Sequence, residues 1–360
     1  MGSISRRFIN NLRQGLMLLK RLLIRKLGLV SDQFFFLDSH MLAQRDIGVE
    51  RLDVYSPPVE TSYEGPFSSQ LVKNFFPQRY IYQLDSATID PLSGFIYDEE
   101  GVFIAESSAW YILRNFYSWP KPFIRQPRKK IMGQYIYLHD IGYYHWLIED
   151  LPPFLAALTR YPDATVLSPA NPSSWQQALL NSLQETKIFY VDKPLRVENL
   201  IMAGKTAGQG NPLFGLTPHP KDIQVLREFF KPYIQEISVE PSYLFLSRKD
   251  ESRCPENIEE VEQFMESQGY KILNTELKLS IFEQVALFSS AKKVVGIHGA
   301  AFANLAWCQE GTDVIELASQ GYLPPAFSMI SNIRSLNYSW ESYGKVPTDS
   351  IEISKLKAFV

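Results

Sequence analysis

Short apolar runs alternate with amphipathic stretches over the last third of the chain. Strand-length apolar runs lie at 243–246, 270–273, 293–297 and 314–317, and helical patterns lie between them at 257–268, 280–289 and 300–308. Strands joined by helical crossovers form a parallel, doubly wound sheet, which binds ligands beyond the carboxyl ends of its strands. The pattern therefore predicts an α/β unit whose functional residues follow its strands.

The middle of the chain shows a looser version of this pattern. Helices are predicted at 146–158, despite two consecutive prolines, and at 174–183, with strands at 164–167 and 187–191. Earlier residues favour short strands and loops, with strands at 101–105 and 131–137. The segment 204–220 is rich in glycine and proline and predicts a loop or an interdomain crossing.

The first thirty residues predict a basic amphipathic helix. They contain seven basic and no acidic residues, and their leucines gather on one side of a helical wheel. Such a helix can lie in a membrane interface, with its basic residues near anionic headgroups. The alternatives are a helix that packs on the protein body and a basic arm. We expect peripheral attachment to the inner face of the cytoplasmic membrane.

Length and composition predict two domains. A chain of 360 residues exceeds what one core usually covers. We predict a membrane-associating helix at 1–30, an N-terminal domain at 31–205, a C-terminal domain at 206–335, and a tail at 336–360 that packs back on the N-terminal domain. Beyond residue 30 acidic residues outnumber basic ones, which speaks against a nucleic-acid partner. Two cysteines and the absence of a signal-like or spanning segment favour the cytosol.

Polar residues follow three of the predicted strands. His298, Gly299 and Ala300 lead directly into a helix, whose first amides can face an anion, and Glu316 ends the next strand, where it could bind a ribose. Asn304 lies one turn into the helix and could cap it or contact a ligand. The structural alternatives are a histidine at a helix cap and a glutamate paired with a lysine.

Ser247 and Arg248 end the first strand of this unit, and Arg253 follows five residues later. Arginine is favoured where planar, bidentate contacts to phosphate are needed. The alternative is a solvated charged loop. The position beside the His298 turn favours phosphate binding.

His145 and Glu149 are four residues apart, so on a helix they share one face. A carboxylate beside an imidazole suits a general base that acts on a hydroxyl group. The alternative is a helix start at which the acid favours the dipole and the histidine packs on Trp146. The chain contains no Asp-x-Asp, dinucleotide-binding glycine fingerprint or phosphate-loop motif, so we expect neither a metal ion nor a separate cofactor.

Taken together, four stretches resemble the family 61 glycosyltransferases in order and spacing. They are the residues around His145 and Glu149, Leu-Ser247-Arg248-Lys-Asp, Val-Val-Gly-Ile-His298-Gly-Ala-Ala-Phe-Ala-Asn304, and Val-Ile-Glu316-Leu. The resemblance covers about residues 130–320. Where the family often has Gly-Leu-Thr-Asn, this chain has Ala301-Phe302-Ala303-Asn304.

The resemblance implies an inverting, metal-independent transferase of GT-B-like α/β fold, in which two Rossmann-like domains face a central cleft. His145 or Glu149 would deprotonate the acceptor hydroxyl, and Glu316 would hold the ribose. The diphosphate and sugar would lie against Ser247, Arg248, Arg253, His298, Gly299, Ala300 and Asn304.

We therefore expect a glycosyltransferase that moves a sugar from a nucleotide-sugar donor to a glycan or lipid-linked glycan acceptor in surface (capsular or exo-) polysaccharide synthesis. One alternative is an epimerase-like enzyme that acts on nucleotide-sugars without an acceptor. The other is a non-catalytic assembly scaffold that binds partners through its N-terminal helix.

Overall fold

The computed structural model describes residues 34–35, 49–64, 71–76, 78–99, 101–104, 107, 129–140, 142–205, 218–236, 240, 242–249, 254–274, 279–319, 324–344 and 350–360. The predicted helix at 1–30 and Arg253 lie outside these residues.

The strands up to residue 203 form one large mixed sheet and a separate hairpin. They are β1 (Phe34–Phe35), β2 (Val49–Ser56), β3 (Val59–Glu64), β4 (Leu71–Phe76), β5 (Arg79–Ile89), β6 (Ile96–Tyr97), β7 (Phe103–Ile104), β8 (Lys130–Ile131), β9 (Tyr135–Tyr137), β10 (Thr165–Pro169), β11 (Ile188–Val191) and β12 (Leu195–Ala203). The ten-stranded sheet has the order β1-β7-β6-β5-β12-β9-β10-β11, β2 also pairs with β5 and β8 with β12, and β3 pairs with β4.

Only part of that sheet has the predicted parallel arrangement. β12, β9, β10 and β11 run parallel to one another, whereas β5 is antiparallel to β2, β6 and β12. The α/β class is confirmed, but the N-terminal sheet is mixed rather than wholly Rossmann-like. The antiparallel half of the sheet consists of β2, β5 and β6. Before residue 131, the sequence predicted only the strand at 101–105.

The second sheet is wholly parallel. Its strands are β13 (Ser242–Ser247), β14 (Tyr270–Asn274), β15 (Ala291–Ile297), β16 (Asp313–Ala318) and β17 (Asn337–Ser342), in the order β14-β13-β15-β16-β17. The first four confirm the strands predicted from the alternation. The order reverses between β13 and β15, and such a reversal opens a crevice beyond the carboxyl ends of those two strands.

The helices are α1 (Tyr143–His145), a π-helical turn (Trp146–Asp150), α2 (Leu151–Arg160), α3 (Ser174–Ser182), α4 (Pro220–Glu236), α5 (Ile258–Ser267), α6 (Ile281–Ser289), a 3₁₀ helix (Ala300–Trp307), α7 (Ala326–Ile333) and α8 (Ile353–Leu356). The two prolines lie in the first turn of α2, directly after the π turn. α6 begins with a capping box between Ser280 and Glu283, as the pattern at 280–289 leads one to expect.

One hydrophobic core joins the two sheets. Side chains of α1, the π turn and α2 pack in the same buried cluster as side chains of α6, the 3₁₀ helix and α7. A buried polar contact adds to this joint, since Arg79 of β5 makes two hydrogen bonds to Asp222 of α4, at 2.8 and 3.1 Å. The residues predicted as two domains thus share a core at their junction.

The C-terminal tail lies elsewhere than predicted. Instead of packing back on the N-terminal domain, β17 adds a parallel edge strand beside β16. Ile351 and Leu356 belong to the core cluster of Phe245 and Val295 in the second sheet. Together with α5, these apolar side chains cover the face of the second sheet that points away from the junction of the two sheets.

Candidate functional site

Arg248 and the His298–Gly299 turn meet where the order of the second sheet reverses. Arg248 directly follows β13, and His298 and Gly299 directly follow β15. A Cβ atom added to Gly299 would lie 2.0 Å from Nη1 of Arg248. Because the φ of Gly299 is −178°, which any residue adopts, close approach of the guanidinium is what requires glycine here. The predicted association of Arg248 with this turn is present.

A buried carboxylate orients His298. Nδ1 of His298 forms a hydrogen bond with Glu316, and the Tyr338 hydroxyl donates to the other Glu316 oxygen at 2.7 Å. Glu316 has no exposed surface, and His298 is 7% exposed. Both Glu316 oxygens are therefore engaged inside the protein. Glu316 thus contacts His298 and Tyr338 inside the protein, and the predicted ribose contact stays a prediction.

Asn304 hydrogen-bonds to four residues inside the protein. Its Oδ1 accepts from the Tyr143 hydroxyl at 2.8 Å and from Trp307 Nε1 at 3.1 Å, and its Nδ2 donates to Gln284 Oε1 and to the Ala301 carbonyl, each at 3.1 Å. These contacts fill the amide's two donor positions and both acceptor positions. Asn304 is fully buried, so its predicted role at the diphosphate is corrected to a structural one.

Ser247 likewise points away from solvent. It is fully buried, and its hydroxyl donates to Glu262 Oε1 of α5 at 2.5 Å, which ties the end of β13 to that helix. Ala300 is exposed at the first position of the 3₁₀ helix. The first amides of a helix have no carbonyl within it to accept from them. Of these two predicted ligand contacts, only Ala300 lies at the surface.

His145 and Glu149 form the predicted pair, across the change from α1 to the π turn. Nδ1 of His145 lies 2.7 Å from Glu149 Oε2, and the His145 side chain is the more exposed of the two, at 21% against 12%. Burial lowers the pKa of His145, but the charge and hydrogen bond of Glu149 outweigh it, and the net pKa is raised. Burial also raises the pKa of Glu149, against the effect of His145.

Two histidine–glutamate pairs are thus linked through aromatic contacts, although about 150 residues separate them in sequence. The ring of Tyr144 contacts His145, with 5.4 Å between ring centroids, and Phe327 at 5.8 Å. Phe327 in turn lies 5.1 Å from the His298 ring. An aromatic pair therefore connects the start of α1 to the carboxyl end of β15.

Comparison with known families identifies this region. The model of the family described as Glycosyltransferase 61 matches residues 143–315. Residues 143–315 are a glycosyltransferase family 61 domain. The chain is accordingly a glycosyltransferase. No curated protein matches the chain.

The glycosyltransferase domain includes His145, His298, Arg248 and Gly299. It ends one residue before Glu316. Residues beyond its end complete the site, because Phe327 of α7 and Tyr338 of β17 support His298 and Glu316. Sequence reasoning missed both. The apolar helical spacing of α7 was a usable signal for the helix, but nothing in the sequence indicated that its Phe327 would face His298.

Phe302, where the chain departs from the family's frequent pattern, is a core residue of the glycosyltransferase. It has no exposed surface and stacks on Phe327 at 5.2 Å. Through Phe327, which lies beside His298, its packing reaches the site.

Metal binding by the glycosyltransferase stays a matter of prediction. Among the residues that the structure describes, no three His, Cys, Asp or Glu side chains converge in a way that could hold a metal ion. In the same residues no helix has the length and apolarity needed to cross a membrane.

We expect Asn304→Ala to destabilise the glycosyltransferase by roughly 3 kcal/mol, because it leaves the buried donors of Tyr143 and Trp307 without their acceptor and Gln284 Oε1 without its donor. Denaturant unfolding measures this change. Asn181→Ala, an exposed substitution on α3, should change stability by less than about 0.5 kcal/mol. Unchanged stability with lost donor binding would instead restore Asn304 as a ligand contact.

Proposed function

We propose that this glycosyltransferase moves a sugar from a nucleotide-diphosphate sugar to a glycan hydroxyl, with inversion and without a metal ion, in a GT-B arrangement of its two sheets. The placement of the His145–Glu149 pair and of the turn of Arg248, His298 and Gly299 on either side of the aromatic pair Tyr144 and Phe327 carries this proposal. The first pair can accept a proton, and the turn can stabilise negative charge.

His145 is the base that we propose, and Glu149 positions it. A carboxylate that accepts from Nδ1–H makes Nε2 the basic nitrogen of the neutral ring. Nε2 removes the acceptor's hydroxyl proton as the oxygen bonds to the anomeric carbon from the face opposite the diphosphate. The bond from that carbon to the diphosphate oxygen breaks at the same time, and the electron pair leaves with the diphosphate.

Arg248 and the amides at Gly299 and Ala300 stabilise the departing diphosphate. A guanidinium forms strong charge-assisted hydrogen bonds to phosphate oxygens, and a helix start adds oriented amide groups. Donors that are already in place are worth more than water because they do not need to reorganise during the reaction. Positively charged and dipolar groups thereby take the role that a divalent cation has in other transferases.

The acceptor that we propose is a surface polysaccharide or its lipid-linked precursor at the cytoplasmic face of the membrane. This part rests on the basic, leucine-rich sequence of residues 1–30, which suits anionic headgroups.

Thermal unfolding with a panel of nucleotide-sugars, each with magnesium and with a chelator, tests the proposal. At 100 times its Kd, the correct donor should add about 2.7 kcal/mol of stability, equally in both conditions. A stabilisation that needs magnesium would contradict the metal-free mechanism. Conversion of the donor to an isomer without an acceptor would indicate epimerisation instead of transfer.

The pH profile distinguishes a base from a structural histidine. Because the His145 pKa is raised, the acid limb of kcat/KM should have its midpoint above about 6.5, the ordinary pKa of histidine. Glu149→Gln removes the charge but keeps the burial, so the midpoint should fall. Glu185→Gln, an exposed change in the same half, should leave it unmoved. An acid limb that Glu149→Gln does not shift would exclude His145 as the titrating base.

A further inference from the structure

A groove lies near the amino-terminal ends of β16 and β17, whereas the proposed active site follows the carboxyl ends of β13 and β15. It has a volume of about 550 Å³ and runs between α4 and the end of α7. Three basic residues, Arg227, Lys231 and Arg334, line it together with the acidic Glu228 and the apolar Ile223 and Ile333. Its size is that of a small-ligand pocket.

Two of these cations are held in place by neutral partners. Arg227 Nη1 donates to the Ala306 and Trp307 carbonyls at 3.0 and 2.9 Å, and Arg334 Nη2 donates to the Cys308 carbonyl at 3.1 Å. Carbonyl oxygens orient a guanidinium without neutralising its charge. Hence two fixed positive charges lie side by side at the end of the 3₁₀ helix.

The electrostatics of Arg227 agree with this arrangement. Partial burial lowers its pKa to about 10, and the neighbouring Arg334 contributes to the decrease. Within the part of the chain that the structure describes, neither arginine forms a salt bridge with a carboxylate within 4.0 Å. An anion in the groove would relieve this repulsion between like charges.

The groove is separate from the proposed donor site. His298 and Gly299 precede the 3₁₀ helix, whereas Arg227 and Arg334 bind carbonyls at its end. Eight residues of 3₁₀ helix span roughly 16 Å. One ligand group cannot contact both ends.

We propose that this groove binds a saccharide-sized ligand that carries an oxyanion, either a phosphate or a carboxylate. The oxyanion pairs with Arg227 and Arg334, whose planar forks match both groups. Lys231 adds charge at the rim, and the half-buried Ile333 contacts the apolar face of the sugar ring. Glu228 weakens the attraction and so limits how tightly the anion binds.

Calorimetry on the full chain tests this proposal, with glucose 6-phosphate, glucuronate, inorganic phosphate and uncharged glucose as probes. We expect at least one sugar anion to bind, and glucose not to bind. A preference for glucose 6-phosphate or for glucuronate distinguishes the phosphate from the carboxylate source. Binding of inorganic phosphate alone would show an adventitious ion only and overturn the proposal.

Variants locate the binding. Arg334→Gln keeps a donor for the Cys308 carbonyl but removes the charge, and should weaken binding by about tenfold or more. Lys231→Ala should weaken it by up to about fivefold, and Glu228→Gln should strengthen it by a similar factor. Lys221→Ala, on the same helix but outside the groove lining, is the matched control and should have no effect.

If Arg334→Gln and Glu228→Gln leave the affinity unchanged while Arg248→Gln abolishes it, the anion binds at the donor site and the proposal is wrong. Equal weakening by Lys221→Ala and Lys231→Ala would show a diffuse effect of net charge and no site.

Discussion

We expect His145→Gln to lower kcat by about 10²–10⁴-fold, which is the range that a general base contributes. Glutamine keeps a polar group of similar reach but has no basic nitrogen. The KM for the donor should change little, because Arg248 and the His298 turn lie across the aromatic pair of Tyr144 and Phe327. Steady-state kinetics with varied donor and acceptor measure both quantities.

A double variant tests whether Glu149 acts through His145. If Glu149 only positions the imidazole, then adding Glu149→Gln to His145→Gln costs little further activity, because the two residues act as a unit. Independent, multiplied losses would mean that Glu149 itself removes the proton. Full activity in His145→Gln, with folding intact, would remove the base from the mechanism that we propose.

The parallel sheet could be predicted because its strands and helices follow one another with a clear change of period. A strand end is also a fixed position in such a sheet, so Arg248, His298 and Gly299 could be expected at one edge. What could not be predicted was the direction of each side chain. Ser247, Asn304 and Glu316 have the residue types of ligand contacts, yet their polar atoms bond to Glu262, Gln284 and Tyr338 inside the protein.

The antiparallel half of the first sheet could not be predicted because β12, the antiparallel partner of β5, has an irregular pattern of apolar residues. Asn199 has a φ of 58°, and the pairing with β5 passes from Glu198 to Leu200 across it. The register of the pairing is the same on both sides of Asn199, and the change of pattern comes from the sequence, which alternates up to Glu198 and is apolar from Leu200. The strand Leu195–Ala203 then shows neither a continuous alternation nor a purely apolar run.

The helix α4 could not be predicted because Pro232 lies inside it, and a proline usually indicates the end of a helix. The apolar spacing of Ile223, Leu226 and Phe230 was nonetheless a helical signal, and all three are buried.

We expect Gly299→Ala to weaken donor binding by roughly 10- to 100-fold, in line with the loss of charge-assisted hydrogen bonds worth about 1.5–3 kcal/mol. The new methyl group would lie 2.0 Å from Arg248 Nη1, so the guanidinium must move. The backbone conformation itself suits alanine, since φ is −178°. The thermal midpoint should therefore change little, while the donor Kd measured by calorimetry rises.

Gly142→Ala is the matched control, because a Cβ there meets no described atom within 4 Å although it lies beside α1. It should leave the donor Kd unchanged. Combining Gly299→Ala with Arg248→Ala should be no worse than Arg248→Ala alone, since the methyl group then has nothing to displace. A normal donor Kd in Gly299→Ala would mean that Arg248 does not hold the diphosphate, and the proposed electrostatic stabilisation would fail with it.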